Sequence, residues 1–381
     1  MAFQRLYRYN MTQRAIAGLA VVAPFFLLMA CSSSDGGHPI TTGSGGSGSG
    51  GSVGSSSGGT TGSGGQPGTG GGSGGDLVGS GGAVATDAGS GGGTATDGPA
   101  DVPGDETAVT DPGTEGDGRF PMMRPAIPPE AAGRLPGVSA GMMRGFQIPA
   151  AMGFSGRSGQ VYTPAGYVAG KPVAFMVFHD GTSLAGSENI PVVIDNLVFE
   201  KKIPLMVAIF IPPVNRSPEY DTVNDKFSQY LTTQALPAVE ALGIKLTTDP
   251  DASGASGHSS GGILAFTMAW FQPERYRRVL SFSGSYTTLQ NPGGDLYNNL
   301  VRTTMPLKPI RVAMTAGTND LLAPRWTMAN ETMGGALMAA GYHYRYILIN
   351  GGTHDQASSR PWVAELMTWL WRGYPITGPT R

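Results

Sequence analysis

Three residue types, met in one order along this chain, have the makings of nucleophilic acyl transfer: a serine in a tight turn, then an acid, then a histidine. Ser259 stands at the centre of Gly257-His-Ser-Ser-Gly261, a Gly-x-Ser-x-Gly pattern that can form a sharp strand-to-helix turn and lift the serine oxygen above a sheet. Such a turn leaves no room for side chains two positions to either side, which gives Gly257 and Gly261 a steric reason to be glycine. A chain with 60 glycines matches this pattern readily by chance, so the serine needs partners further along. A serine hydroxyl becomes a nucleophile only when a neighbouring base takes its proton, and a base working near neutrality is most simply a histidine. Two histidines follow Ser259. His343 opens an alternating strand, where no reactive role is expected. His354 lies in Asn350-Gly-Gly-Thr-His-Asp355, just beyond the apolar end of that strand, and is the candidate base.

Four acids lie between Ser259 and His354: Glu274, Asp295, Asp320 and Glu331. Glu274 and Glu331 fall on predicted helices, and Asp295 falls in a Pro-Gly-Gly turn. Asp320 follows a predicted strand ending at Met314, so it is the acid placed to orient His354. Capping the next segment is its alternative role. Charge developing on an attacked carbonyl oxygen would need two backbone donors. Ser260 N–H is one, and Gly181 or Thr182 from His179-Asp-Gly181-Thr is the other. His179 is expected to shape that loop rather than react.

These residues need a sheet whose strands end together. Lys171–Phe178 and Pro204–Ile211 are nearly continuous apolar runs, as in parallel strands covered on both faces. Between them, Ile190, Val193, Ile194 and Leu197 recur at helical spacing. Further strands are predicted at Gln160–Thr163, Arg278–Phe282, Ile310–Met314 and Tyr344–Ile349. Further helices are predicted at about Thr222–Leu242, interrupted near Pro237, and at Met328–Ala340 and Arg360–Trp371. Ala252–Ser256, before the serine turn, is small-sided and a poor strand by propensity. Alternating strands and helices predict one α/β domain, a doubly wound and mostly parallel sheet flanked by helices, with reactive residues at the carboxyl ends of strands.

Composition divides the chain into parts. Arg5, Arg8 and Arg14 precede an apolar run from Ala15 to Ala30, the order of a secretory signal. About 16 apolar residues interrupted by Pro24 fall short of the ~20 that span a bilayer. Leu28-Met29-Ala30-Cys31 resembles a bacterial lipobox, which makes 1–31 a lipoprotein signal peptide and Cys31 the lipidation site. By resemblance to enterobacterial lipoproteins, Ser32 implies the outer membrane, facing periplasm or cell surface. Residues 32–118 are a Gly/Ser/Thr/Asp-rich linker with ten acids and no Lys or Arg, expected to be a disordered tether of r.m.s. span about 50 Å. Residues 119–381 then carry a net charge of about +5. No Lys/Arg run accompanies that excess, which argues against a nucleic-acid partner. Cys31 is the one cysteine, so an intramolecular disulfide is excluded. Residues 119–151 read as an irregular lead-in whose methionines, Met122, Met123, Met142, Met143 and Met152, either line a pocket or fill surface gaps.

From about Val161 to Arg372 the sequence resembles the enterochelin-esterase branch of the putative-esterase family of α/β hydrolases. The resemblance rests on His179-Asp-Gly181, Asn215-Arg-Ser-Pro-Glu-Tyr220, Gly257-His-Ser-Ser-Gly-Gly262, Ser281 to Tyr286, Gly317-Thr-Asn-Asp320, Gly341-Tyr-His and Gly351-Gly-Thr-His354. It implies a serine hydrolase needing neither metal nor cofactor, with Ser259, Asp320 and His354 as its triad. Its substrate would be a carboxylic ester, small or polysaccharide-linked: a siderophore, acetyl or feruloyl ester. His179, Asp180, Arg216 and Glu219 are candidate substrate contacts, with Arg216 and Glu219 alternatively a structural pair. Two other readings stay open: acyl transfer through the same triad, and a surface binding protein on a hydrolase scaffold that has lost its catalysis.

Overall fold

In chain order, the computed structural model describes residues 113–320 and 324–376. The signal segment, Cys31 and most of the linker lie outside them. The first elements are β1 (Gly118–Met123), α1 (Pro129–Ala132), β2 (Met142–Ile148) and β3 (Arg157–Thr163). Next come β4 (Ala174–His179), α2 (Thr182–Ser187), α3 (Ile190–Phe199), β5 (Met206–Ile211) and α4 (Arg216–Tyr220). Two short helices, α5 (Lys226–Tyr230) and α6 (Leu236–Glu240), are joined by the π-helical turn Leu231–Ala235. The predicted helix over this stretch is therefore broken before Pro237, whose missing N–H cannot continue the ladder. The remainder is β6 (Ser253–His258), α7 (Ser260–Phe271), β7 (Arg278–Phe282), α8 (Tyr297–Thr303) and β8 (Arg311–Gly317). It ends with α9 (Arg325–Ala340), β9 (His343–Asn350), α10 (Gln356–Ser359) and α11 (Val363–Leu370).

All nine strands join one sheet in the order β1-β9-β8-β7-β6-β4-β5-β3-β2. Every pairing is parallel except β2 with β3 and β3 with β5. The two apolar runs behave as expected, since β4 and β5 are buried at every residue. Helices cover both faces. On one side Ile263, Phe266, Leu337 and Tyr230 share a core with β4 to β8, and on the other Ile194, Leu197, Leu366 and Leu370 do so. The chain passes from β4 to β5 on one side and later places β6 on the other. The β4–β6 boundary is therefore the switch point at which such sheets open a crevice above their carboxyl ends.

Three expectations are corrected. Residues 119–151 supply β1 and β2, both outer strands of the sheet, instead of an irregular lead-in. Their methionines lie at its rim, with Met123 71% exposed and Met142 63% exposed. The folded body also starts slightly before residue 119: Asp117 Oδ2 lies 2.7 Å from His343 Nδ1, and Arg345 donates to the carbonyl of Gly116 at 2.7 Å. Arg119 then pairs with Glu331 of α9 at 2.7 Å, fixing β1 to its neighbours. Glu274 lies in a turn after α7 and not on a helix.

Candidate active site

The poorest strand by propensity is a central one. β6 is fully buried, pairs with β4 and β7, and ends at the serine turn. Close packing explains its small side chains, because a Cβ on Gly254 would sit 2.6 Å from the Arg278 carbonyl oxygen. Ser259 has φ 57° and ψ −117°, a conformation that costs free energy and persists only where surroundings impose it. They do so here through Ser259 N–H to Phe282 O at 2.8 Å and Ser285 N–H to Ser259 O at 3.1 Å. A Cβ on Gly257 would lie 2.4 Å from the Gly261 carbonyl carbon, which is the crowding anticipated for this turn. Helix α7 follows immediately.

Asp320 and His354 meet. His354 Nδ1 lies 2.8 Å from Asp320 Oδ2. An ionised carboxylate only accepts, so Nδ1 carries the proton and Nε2 is left with its lone pair. The loops bearing them, after β8 and β9, are stitched together: Thr318 N–H donates to Ile349 O at 3.0 Å and Asn319 N–H to Gly352 O at 2.8 Å. Asp320 is buried, its side chain 1% exposed, while that of His354 is 15% exposed. The imidazole is held edge-to-face between His258, 4.8 Å away between ring centres, and Trp326, 5.6 Å away. Burial, then the neighbouring His354, pushes His258 down to about 3, so it stays neutral. The Ser259 hydroxyl itself bonds to Ser285 Oγ at 3.3 Å and not, among the described residues, to His354.

The two candidate oxyanion donors come from neighbouring strands. Ser260 is the first residue of α7, so its N–H has no acceptor within the helix. Asp180 and Gly181, just past β4, both have positive φ, 64° and 63°. At Gly181 a Cβ would also lie 3.1 Å from Pro212 Cβ. Helix α4 braces both sides. Arg216 holds Asp180 with two bonds, 2.7 and 2.9 Å, and donates to His258 O at 3.0 Å. Tyr220 Oη accepts from Asp180 N–H at 3.2 Å. Asp221, at the end of α4, accepts from the Ser260 hydroxyl at 3.0 Å and from Ser217 at 2.8 Å. Burial pushes the Asp221 carboxyl above its usual range.

The candidate substrate contacts divide. Asp180 and Arg216 are partly exposed and engaged with each other. His179 is wholly buried against Tyr220, and burial lowers it to about 3. Glu219 is buried in an ion pair with Arg157 at 2.6 Å. Neither therefore faces a substrate, and Arg216 and Glu219 do not pair with each other. Ser285, Trp326 and Asp221 escaped the sequence reading. Ser285 alone lay inside a quoted motif, and nothing local marks the other two.

A buried sheet, a strained serine turn at its switch point and an Asp–His pair on later strand ends define an α/β hydrolase. The chain belongs to the family described as "Putative esterase", which matches residues 154–370, more than half of it. It is a carboxylic ester hydrolase. It is 26% identical over 182 residues to "Uncharacterized protein YbbA" of Bacillus subtilis, covering 42% of this chain and 67% of that one. Among solved structures it resembles the enterobactin esterase of Shigella flexneri, with a TM-score of 0.54 and 21% identity over 63% of this chain and 60% of that one. It thus spans about three fifths of that enzyme's length. It also resembles a ferulic acid esterase of Anaeromyces mucronatus, with a TM-score of 0.52 and 13% identity over 65% of this chain and 96% of that one. At these identities the structural likenesses establish the fold.

Proposed function

We propose that this chain is an extracytoplasmic, lipid-anchored serine esterase that works through an acyl-enzyme on Ser259. The observation that carries the reading is the Asp320–His354 pair at 2.8 Å, beside a serine held at φ 57° above the sheet. His354 Nε2 takes the proton of Ser259 as Oγ attacks the ester carbonyl carbon. Negative charge gathers on the carbonyl oxygen, facing Ser260 N–H and the Gly181 or Thr182 N–H. Collapse breaks the bond to the alcohol oxygen, which leaves with the proton from His354. Water then attacks the acyl carbon, gives its proton to His354 and releases the acid, and the proton returns to Ser259.

Beside the Asp180–Thr182 loop, a cleft of about 360 Å³ is lined by Gln147, Ser158, Gln160, Ser183 and Phe146. Its amides and hydroxyls, with the Asp180 carboxylate at one edge, suit a hydroxyl-bearing part of an ester, which supports a sugar-linked or catechol-ester substrate. The secretory-type start of the chain and Cys31 support lipid anchoring at the cell envelope.

A fluorophosphonate probe should label the folded wild type and leave Ser259→Ala unlabelled; an unlabelled wild type refutes the reading. Rates against a short acyl ester, a feruloyl ester and a catechol-ester siderophore, measured together, identify the substrate class. Metabolic labelling with a palmitate analogue, lost in Cys31→Ala, tests the anchor.

A further inference from the structure

The turn after β7 carries a conformational cost that the triad alone does not explain. Ser283 has φ 45°, unfavourable for a residue with a side chain. Several partners enforce it: Ser283 N–H donates to Thr315 O at 2.8 Å, and Trp326 Nε1 donates to Ser283 O at 3.1 Å. Asn330 donates to Gly284 O at 2.9 Å, and Tyr286 Oη donates to Ser281 Oγ at 3.0 Å. What this braced turn delivers is Ser285, wholly buried, with its hydroxyl 3.3 Å from Ser259 Oγ.

Either oxygen can donate across that contact, and burial decides between them. Among the described residues, Ser259 Oγ is the one hydrogen-bond partner of the Ser285 hydroxyl. A buried hydroxyl that does not donate forfeits its bond to water without replacement. Ser259 is only part-buried, so its own proton can turn to solvent instead.

We infer that Ser285 is a catalytic residue: its O–H donates to Ser259 Oγ, leaves the Ser259 proton free for His354, and stabilises the negative charge that Oγ carries when it attacks and when it departs. No bond to Ser285 forms or breaks; it keeps its proton throughout. Trp326 ties this donor to the base, since it bonds the Ser283 carbonyl and packs its ring on His354.

The inference rests on Ser259 being the nucleophile, and the test separates the two. Ester turnover and the rate of fluorophosphonate labelling are measured for the wild type, Ser259→Ala, Ser285→Ala and Ser285→Cys, with melting curves for each. Ser285→Ala should lower kcat and the labelling rate by roughly tenfold, the worth of one neutral hydrogen bond, with KM and Tm close to wild type. Ser285→Cys, a weaker donor of similar shape, should fall between the two. The inference is overturned if Ser259→Ala is inactive while Ser285→Ala keeps kcat and labelling within twofold of wild type. It is also overturned if both Ser285 variants lose Tm in step with activity. Undiminished turnover by Ser259→Ala overturns the underlying nucleophile along with it.

Discussion

Asp180 and Arg216 meet fork to fork at 2.7 and 2.9 Å, and the same guanidinium reaches the carbonyl of His258, next to the serine. One side chain thus spans the loop after β4 and the end of β6, the two places that carry the proposed oxyanion donors. Arg216→Ala should lower kcat by roughly 10², close to the loss of one such donor. Arg216→Lys should recover part of it, because an ammonium cannot hold both carboxylate oxygens and the carbonyl in one plane. Steady-state kinetics on a neutral acetyl ester check this, with KM expected to stay near wild type. A change confined to KM would make Arg216 a substrate contact instead.

Asp320→Asn keeps the shape of the acid but lets an amide donor face Nδ1, which selects the wrong imidazole tautomer. The analogous change in other triads costs about 10⁴ in turnover, and a loss of about 10³–10⁴ is expected here. Ester kinetics with a melting curve provide the check. Wild-type turnover by the folded variant would remove Asp320 from the mechanism.

Glu219 and Arg157 are a buried pair, with side chains 5% and 2% exposed. Removing one partner strands the other charge, so Glu219→Ala should cost about 3–5 kcal/mol of stability. Urea denaturation measures it. Substrate KM should move little, which distinguishes this bracing role from substrate contact.

Glu188 is wholly buried, and burial raises its carboxyl to about 8, with the Ser359 hydroxyl opposing. Ser359 Oγ lies 2.7 Å from one carboxyl oxygen, and the other has no partner among the described residues. A folded pKa above the unfolded value of 4.5 means that the folded state holds the proton more tightly. The resulting stability is fully present below about 4.5 and is lost as pH rises through about 8. His179 and His258, both lowered to about 3, act in the opposite sense as pH falls from 6.5. The useful quantity is therefore the difference between variants. Glu188→Gln, neutral at every pH, should gain Tm relative to wild type as pH rises from 5 to 9, by several degrees. A constant difference across that range would show that Glu188 does not titrate there.

The fold was legible where burial is continuous or periodic. Val177, Ile209 and Val279 lie in runs that only a covered parallel sheet accommodates, and those strands fall where expected. β6 looked weak because propensity measures side chains that pack, whereas Gly254 and Gly257 are small so that other atoms can come close. β1 and β2 were hidden because outer strands need less apolar surface and tolerate Pro121. In the site, Ser259, Asp320 and His354 could be sought because chemistry restricts their types and order. Ser285, Trp326 and Asp221 are set by turn geometry and burial, which no local spacing records. The burial of His179 and Glu219 is hidden for the same reason, since nothing in their neighbours announces that they are covered.

The crowding around β6 also divides the molecule by how much change it can absorb. A single added carbon at Gly254 or Gly257 collides with backbone, so neither site offers an evolutionary path through larger residues. The cleft beside Asp180 is walled instead by Gln147, Ser158, Gln160 and Ser183, all of them exposed. With the proposed substrate in that cleft, new ester preferences can arise there by ordinary point mutation, while the proposed machinery stays fixed at the ends of β6, β8 and β9.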